Sequence, residues 1–171
     1  GFQNSQINSS TRGLFAGCNT PANLDTVEYV TIANIGNGTD FGHSTAARSQ
    51  LGGLCSSTRG VFVGGIDSSN VLDFVAIATL GDAADFGDLA ANAQHPGGAS
   101  SKIRGVVGGG DTPSVVNVIQ YITFTTTGDA TDFGDLTSAR SQSSGCSNGH
   151  GGLDFDTIQR PSVTYMPGSG R

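Results

Sequence analysis

The sequence predicts an all-β protein built from tandem repeats of about 46 residues. Two short motifs recur at one period, the segments between them are short and rich in β-branched or aromatic residues, and turn-forming residues bound each segment. The composition agrees, since the 171 residues include 27 glycines and only 13% charged residues. A share of roughly 25% charged residues is usual in globular proteins. A coiled coil or a helix-rich bundle is therefore not expected.

Two independent markers set the period. Arg-Gly recurs at Arg12, Arg59 and Arg104, with steps of 47 and 45 residues. Asp-Phe-Gly occurs at 40–42, 85–87 and 132–134, with steps of 45 and 47 residues. Repetition at this length is typical of arrays in which each unit buries its apolar surface against its neighbours.

The first strand expected in each unit follows the Arg-Gly pair. A short apolar run leads into a doublet of small residues, which suits a place where a backbone passes closely with no side chain between. The doublet is Gly64 and Gly65 in one unit and Gly109 and Gly110 in the next. A polar turn of Asn, Asp, Ser, Thr and Pro follows.

The next strand is the most apolar segment of the unit. Its copies at 27–32, 72–77 and 119–124 each have a polar residue at the second place and an aromatic residue at the third. In the copy near residue 75, both alternating faces are apolar. A strand that is apolar on both sides is expected to lie between two other layers.

Asp-Phe-Gly follows after a turn. We expect its aromatic residue, which is Phe41, Phe86 or Phe133, to fill the core of each unit, and its glycine to supply a turn. The same triplet binds metal in protein kinases, but three copies without a Gly-rich phosphate loop or a catalytic lysine strand exclude that interpretation. Ala-Arg-Ser-Gln then appears at 47–50 and 139–142, and a Gly/Ser-rich stretch leads to the next arginine.

We expect residues 1–171 to form a single repeat domain, as a fragment of a longer polypeptide or a processed product. The units are approximately 13–59, 60–104 and 105–150, with an abbreviated unit at 151–171. In the abbreviated unit His150 takes the arginine position, and the aromatic strand is missing.

These units resemble the kelch repeat. That family shows a small-residue doublet at the end of one strand, an aromatic residue in the next, and a tryptophan before a leucine and an arginine. This chain departs from the pattern because it has no Trp, and the phenylalanine of Asp-Phe-Gly takes its place. The comparable positions are Gly64, Gly65, Phe74, Phe86 and Leu89, with Phe133, Leu136 and Arg140 repeating the last set.

The resemblance covers residues 11–150 and implies that each unit is a blade of a β-propeller. A propeller typically has four to eight blades, so three to four units leave the ring open or completed by other units. A β-solenoid is the alternative architecture. An open array leaves strand edges unpaired, which invites pairing with another chain.

Units such as Gly-Asp-Ala-Thr-Asp-Phe-Gly-Asp-Leu-Thr also resemble repeat proteins of tailed phages that infect aquatic bacteria, where such units occur in virion structural proteins. This resemblance implies a virion or extracellular location and a non-enzymatic structural or adhesive role, as a tail fibre or surface appendage. Host surface glycans are the candidate ligand. Virion proteins, other copies of the chain and other units of the same parent chain are the expected partners.

Two other function classes remain as alternatives. One is a kelch-like module that binds another protein, and the other is a carbohydrate-active propeller enzyme. The enzyme would require an acid and a nucleophile on inner strands, whereas the only glutamate is Glu28 and no catalytic motif is present. The net charge of −6 removes any general attraction for nucleic acid or anionic lipid. The sequence contains no run of 18 apolar residues, so it predicts no membrane-spanning segment.

Acidic residues flank each Asp-Phe-Gly and provide a calcium hypothesis, because oxygen-rich loops can gather around Ca²⁺. The alternative is that Asp is favoured in turns, where it accepts hydrogen bonds from nearby backbone N–H groups. No other cofactor is expected. The candidate ligands are Asp82, Asp85, Asp88, Asp129, Asp132 and Asp135.

The remaining polar residues are interpreted as structural. We expect the repeated arginines to form pairs between units or to donate to carbonyls at strand ends. Histidines are expected at surfaces or turns, and cysteines as small buried residues. The arginines are Arg12, Arg59 and Arg104, with Arg48 and Arg140 as a second set; the histidines are His43, His95 and His150; the cysteines are Cys18, Cys55 and Cys146.

Overall fold

A computed structural model describes residues 5–8, 11–19, 21–66, 70–111 and 113–147 of the chain. These residues form strands, turns and bends without a helix, so the all-β prediction is confirmed. Within this part of the chain no helix is long and apolar enough to cross a membrane. His150 and the abbreviated unit 151–171 lie outside the described residues.

Twelve strands form three antiparallel sheets of four strands, and neighbours in each sheet are consecutive in sequence. Sheet 1 contains β1 (Ser5–Asn8), β2 (Arg12–Asn19), β3 (Asn23–Thr31) and β4 (Thr39–His43). Sheet 2 contains β5 (Gly52–Cys55), β6 (Arg59–Val63), β7 (Val71–Ala76) and β8 (Ala84–Asp88). Sheet 3 contains β9 (Gly97–Ser100), β10 (Arg104–Gly108), β11 (Val118–Thr123) and β12 (Thr131–Asp135).

The repeated motifs form equivalent elements in the three sheets. The marker arginine begins the second strand of each sheet and pairs with the same position of the third strand, as Arg59 does with Ala76 and Arg104 with Thr123. A register shift also recurs between the third and fourth strands of all three sheets, as between Leu72 and Asp73. The prediction that one sheet-forming module is copied in tandem is therefore confirmed.

Asp-Phe-Gly forms a β-bulge at the centre of each fourth strand. In sheet 2, Leu72 pairs with Gly87 and Asp73 with Asp85, so Phe86 is the extra residue. The glycine that follows has φ near +142°, a conformation that side chains with a Cβ rarely adopt. The triplet thus bends the fourth strand.

The sheets are offset from the predicted units. The unit boundary between residues 59 and 60 falls after the first residue of the second strand of sheet 2, and the boundary between 104 and 105 falls at the same place of sheet 3. In both sheets the first and second strands are joined by a tight turn in which a serine hydroxyl accepts from the backbone of the arginine, as Ser56 does from Arg59. Each sheet therefore spans the predicted boundary.

Two apolar cores lie between the sheets, one between sheets 1 and 2 and one between sheets 2 and 3. We call these contacts the first and the second joint. The forward face of a sheet packs toward the next sheet in sequence, and the rear face packs toward the preceding sheet. Strand β7 contributes to both cores, with Val75 in the first and Leu72 in the second. The prediction of a strand between two layers is confirmed.

Candidate assembly interface

A connector, residues 44–51, attaches sheet 1 to sheet 2 through a buried ion pair. Arg48 and Asp73 are both fully buried, and the Arg48 Nη2 donates to Asp73 Oδ1. The Arg48 Nη1 also donates to the carbonyl oxygens of Gly64, at 2.9 Å, and Val71, at 3.0 Å. The other oxygen of Asp73 accepts from the backbone N and the hydroxyl of Thr45, at 2.8 and 2.9 Å. The two buried charges are thereby paired and hydrogen-bonded, as charges in an apolar interior must be.

The second joint has neutral side chains at the positions of this ion pair. Gln120 occupies the strand position of Asp73, and its Oε1 accepts from the backbone N of Ala90 at 2.8 Å, as Asp73 does from Thr45. Ala93 takes the connector position of Arg48 and is buried in the second core. A charged pair at the first joint is thus matched by a neutral pair at the second.

The marker arginines connect neighbouring sheets. Arg12 donates to the carbonyl oxygen of Ile77 at 2.7 Å, and Arg59 donates to that of Phe124 at 2.6 Å. Each guanidinium also lies over an aromatic ring of its own sheet, at 4.9 Å from the Tyr29 centroid for Arg12 and 4.6 Å from the Phe74 centroid for Arg59. The third marker arginine, Arg104, lies over Tyr121 in the same way and is exposed.

The fourth strands of sheets 1 and 2 are each bonded to the next sheet through backbone atoms. At the first joint, the N–H of Gly81 donates to the carbonyl of Phe41 at 2.9 Å, and at the second the N–H of Gly128 donates to that of Phe86 at 2.6 Å. A Cβ built on Gly42 would lie 2.5 Å from the Gly81 carbonyl oxygen. The glycine of Asp-Phe-Gly is therefore needed for this close approach as well as for its φ angle.

Two of the six calcium candidates bond to the backbone at the joints. Asp82 Oδ1 accepts from the backbone N of His43 at 2.9 Å, and Asp129 Oδ1 accepts from that of Asp88 at 3.1 Å. Among the residues that the structure describes, no group of three or more His, Cys, Asp or Glu side chains is placed to hold a metal ion. Asp85, Asp88, Asp132 and Asp135, the other candidates, are not brought into such a group.

The glycine doublets lie where a connector crosses a strand end. Gly64, Gly65, Gly109 and Gly110 all have positive φ angles, between +62° and +113°. A Cβ on Gly65 would lie 2.7 Å from the Ser49 carbonyl oxygen, and one on Gly110 would lie 2.9 Å from that of Gln94. The doublets therefore let the connectors pack against the sheets.

Three expectations about side chains need correction or completion. Phe41 and Phe86 are 2% exposed, but Phe133 is 54% exposed, because no described sheet covers the forward face of sheet 3. Cys18 and Cys146 are exposed rather than buried, and Cys55 is half-buried. His43 is exposed, 3.3 Å from Asp25. His95 is mostly buried, 3.5 Å from Asp111.

Sequence reasoning did not identify Asp73 and Gln120 as interface residues. The available signal was the polar residue at the second place of an otherwise apolar strand, which is Glu28 in sheet 1. The residue at one place of the connectors also changes, from Arg48 to Ala93. Together the two signals indicate that a connector residue is matched to a residue of the strand that follows it.

Comparisons with known proteins add no family to this description. No protein-family model matches the chain, and no curated protein matches it.

Proposed function

We propose that this chain is a non-enzymatic structural and adhesive repeat protein whose sheets are kelch-like blades of a β-propeller. The observation that carries the proposal is the repetition of the joint. Two successive joints use an arginine to a carbonyl oxygen, a backbone bond from Gly81 or Gly128, and an aspartate on a backbone N–H, all at equivalent positions. The repeated arginines and aspartates of the joints thus connect one sheet to the next.

The order of contacts supports blades around a common axis. The first strand of sheet 2, β5, contacts the first strands of both neighbouring sheets, β1 and β9. Forward faces meet rear faces at both joints. Sheets that pack face to face with their first strands adjacent are what a propeller requires.

The setting that we propose is the virion of a tailed phage, as a tail fibre or surface appendage. Support for the setting comes from the sequence resemblance of the repeated units to virion structural proteins. Many copies of weak polar contacts on one end of the blades would give adhesion to host surface glycans through multivalency. The kelch-like protein-interaction module remains the alternative.

Electron microscopy of the native material tests this function. We expect fibre-bound or particle-bound density, and we expect binding to at least one glycan when the assembled material is applied to a glycan array. Dispersed monomers that each form a closed ring would contradict the structural role and favour the interaction module. Assembled material that binds no glycan would remove the adhesive part of the proposal.

A further inference from the structure

A groove on the rear face of sheet 1 repeats the site that holds Arg48 at the first joint. The groove has a volume of about 320 Å³ and is lined by residues of β2 and β3. No described sheet covers this face, so Ile32 is 54% exposed, whereas Ile77 at the same position of sheet 2 is 2% exposed. The groove is therefore accessible in the described part of the chain.

The first joint shows what such a site binds. The guanidinium of Arg48 donates to the carbonyl oxygens of Gly64 and Val71 through one nitrogen. Through a second nitrogen it donates to the carboxylate of Asp73. Two nitrogens of one planar group thus reach three acceptors, an arrangement that a lysine ammonium with its single nitrogen cannot match.

Sheet 1 has the same three acceptors in the groove. They are the carbonyl oxygens of Gly17 and Thr26 and the carboxylate of Glu28, and all three residues line the groove. The register shift between the third and fourth strands falls directly before Glu28, as it does before Asp73. Gly17 and Gly64 have similar φ angles, +75° and +62°. The backbone of sheet 1 therefore follows the course that it has around the Arg48 site.

The carboxylate of Glu28 is accessible to a cation. Glu28 is exposed, and among the described residues none donates a hydrogen bond to its carboxylate. The chain carries a net charge of −6, which attracts cations. Phe15, which is half-buried and also lines the groove, offers an apolar wall for the methylene stem of an arginine.

We propose that this groove binds the guanidinium group of an arginine side chain that belongs to a separate partner polypeptide. The arginine donates to the carbonyl oxygens of Gly17 and Thr26 and pairs with Glu28. The proposal deepens the structural role given above and rests on it, because it names the chemistry by which a partner of the assembly is held.

Cys18 indicates that the arginine does not arrive on a connector such as residues 44–51. Gly65 holds this position in sheet 2, and a Cβ built on Gly65 would lie 2.7 Å from the Ser49 carbonyl oxygen. Cys18 has a side chain at this place, and it pairs with Leu24 in the ladder of β2 and β3. The main chain of a connector would therefore meet the Cys18 side chain, whereas the end of an arginine side chain can enter the groove without this contact.

NMR titration of the isotope-labelled full chain with N-acetyl-argininamide tests the site. We expect saturable shifts of the backbone amides of Gly17, Thr26 and Glu28, with a Kd of about 1 mM, since a single side chain makes few contacts. N-acetyl-lysinamide should bind at least about fivefold more weakly, because one ammonium nitrogen does not reach all three acceptors.

Glu28→Gln keeps the size of the side chain and removes its charge, and we expect it to weaken binding of N-acetyl-argininamide about tenfold. Asp85→Asn is the matched control, since it removes one charge from an exposed residue of sheet 2. It should bind as the parent chain does. Circular dichroism spectra identical to the parent chain show that both variants are folded. Equal binding by Glu28→Gln and the parent chain, equal binding of the two probes, or shifts confined to other sheets would overturn the proposal.

The peptide Ser-Thr-Ala-Ala-Arg-Ser-Gln-Leu, which has the sequence of residues 44–51, distinguishes the two sources of the arginine. We expect it to bind the parent chain no more tightly than N-acetyl-argininamide, because Cys18 keeps its main chain out of the groove. Binding at least about tenfold tighter would assign the groove to a connector of another repeat unit and overturn the partner proposed here. None of these results alters the two described joints, so the structural function is tested separately by electron microscopy.

Discussion

The buried pair of Arg48 and Asp73 allows a quantitative test of how the sheets are joined. Asp73→Ala removes the acceptor of three hydrogen bonds and leaves the Arg48 charge in a fully buried site with two carbonyl oxygens as its acceptors. Removing one partner of a buried ion pair costs about 3–5 kcal/mol. A whole domain is stable by about 5–15 kcal/mol, so the loss is a large part of the total.

The second joint supplies the matched control. The double variant Arg48→Ala with Asp73→Gln installs the neutral residues that the second joint has at these positions, Ala93 and Gln120. We expect it to be about 1–2 kcal/mol more stable than Asp73→Ala, because it leaves no unpaired charge buried, while the smaller Ala side chain removes packing from the site.

Urea unfolding followed by circular dichroism measures both free energies. For a chain of this length, a loss of about 4 kcal/mol should also lower Tm by about 8–16 °C. The reasoning is refuted if Asp73→Ala costs less than about 1 kcal/mol. It is also refuted if the double variant is as unstable as the single variant, since the two positions would then not act as a pair.

Three further predictions use matched positions of the repeat. Gly42→Ala should destabilise the chain by about 1–3 kcal/mol more than Gly81→Ala in urea unfolding, because both glycines have φ near +147° but only the Gly42 Cβ would meet backbone atoms; equal losses would contradict the close approach. Phe86→Ala should cost about 3–5 kcal/mol and Phe133→Ala less than about 1 kcal/mol, since their exposed fractions are 2% and 54%. The reverse order would contradict the assignment of the joints. Melting with and without a chelator should give one Tm, because Asp82 and Asp129 bond to backbone N–H groups; a lower Tm with chelator would restore the calcium hypothesis.

The repeat and its strands were predictable because they depend on local sequence. Arg-Gly and Asp-Phe-Gly mark one position of the sheet each time they occur, and the two apolar faces of β7 require layers on both sides. The limits of each sheet were not predictable in this way. The first strand of a sheet is short and rich in Gly and Ser, as in Gly97–Ser100, so its composition resembles a loop.

The environment of a side chain depended on neighbours that the motif does not specify. Phe86 and Phe133 occur in the same triplet, yet one is buried and the other exposed, because burial requires a following sheet. The pairing of Arg48 with Asp73 also spans 25 residues and joins a connector to a strand. The repeat period shows where these two positions recur in the sequence, but it does not show that their side chains are in contact.

The backbone bonds between successive sheets have a consequence for evolution of the chain. Since Gly81 and Gly128 donate through main-chain atoms, any unit that keeps its glycines can follow any other at this contact. The side chains at the Arg48 and Asp73 positions distinguish one junction from another, and so do core residues such as Phe62 and Val107. Duplication or recombination could therefore lengthen the array while the backbone bonds are kept, and changes in these side chains would decide which units become neighbours.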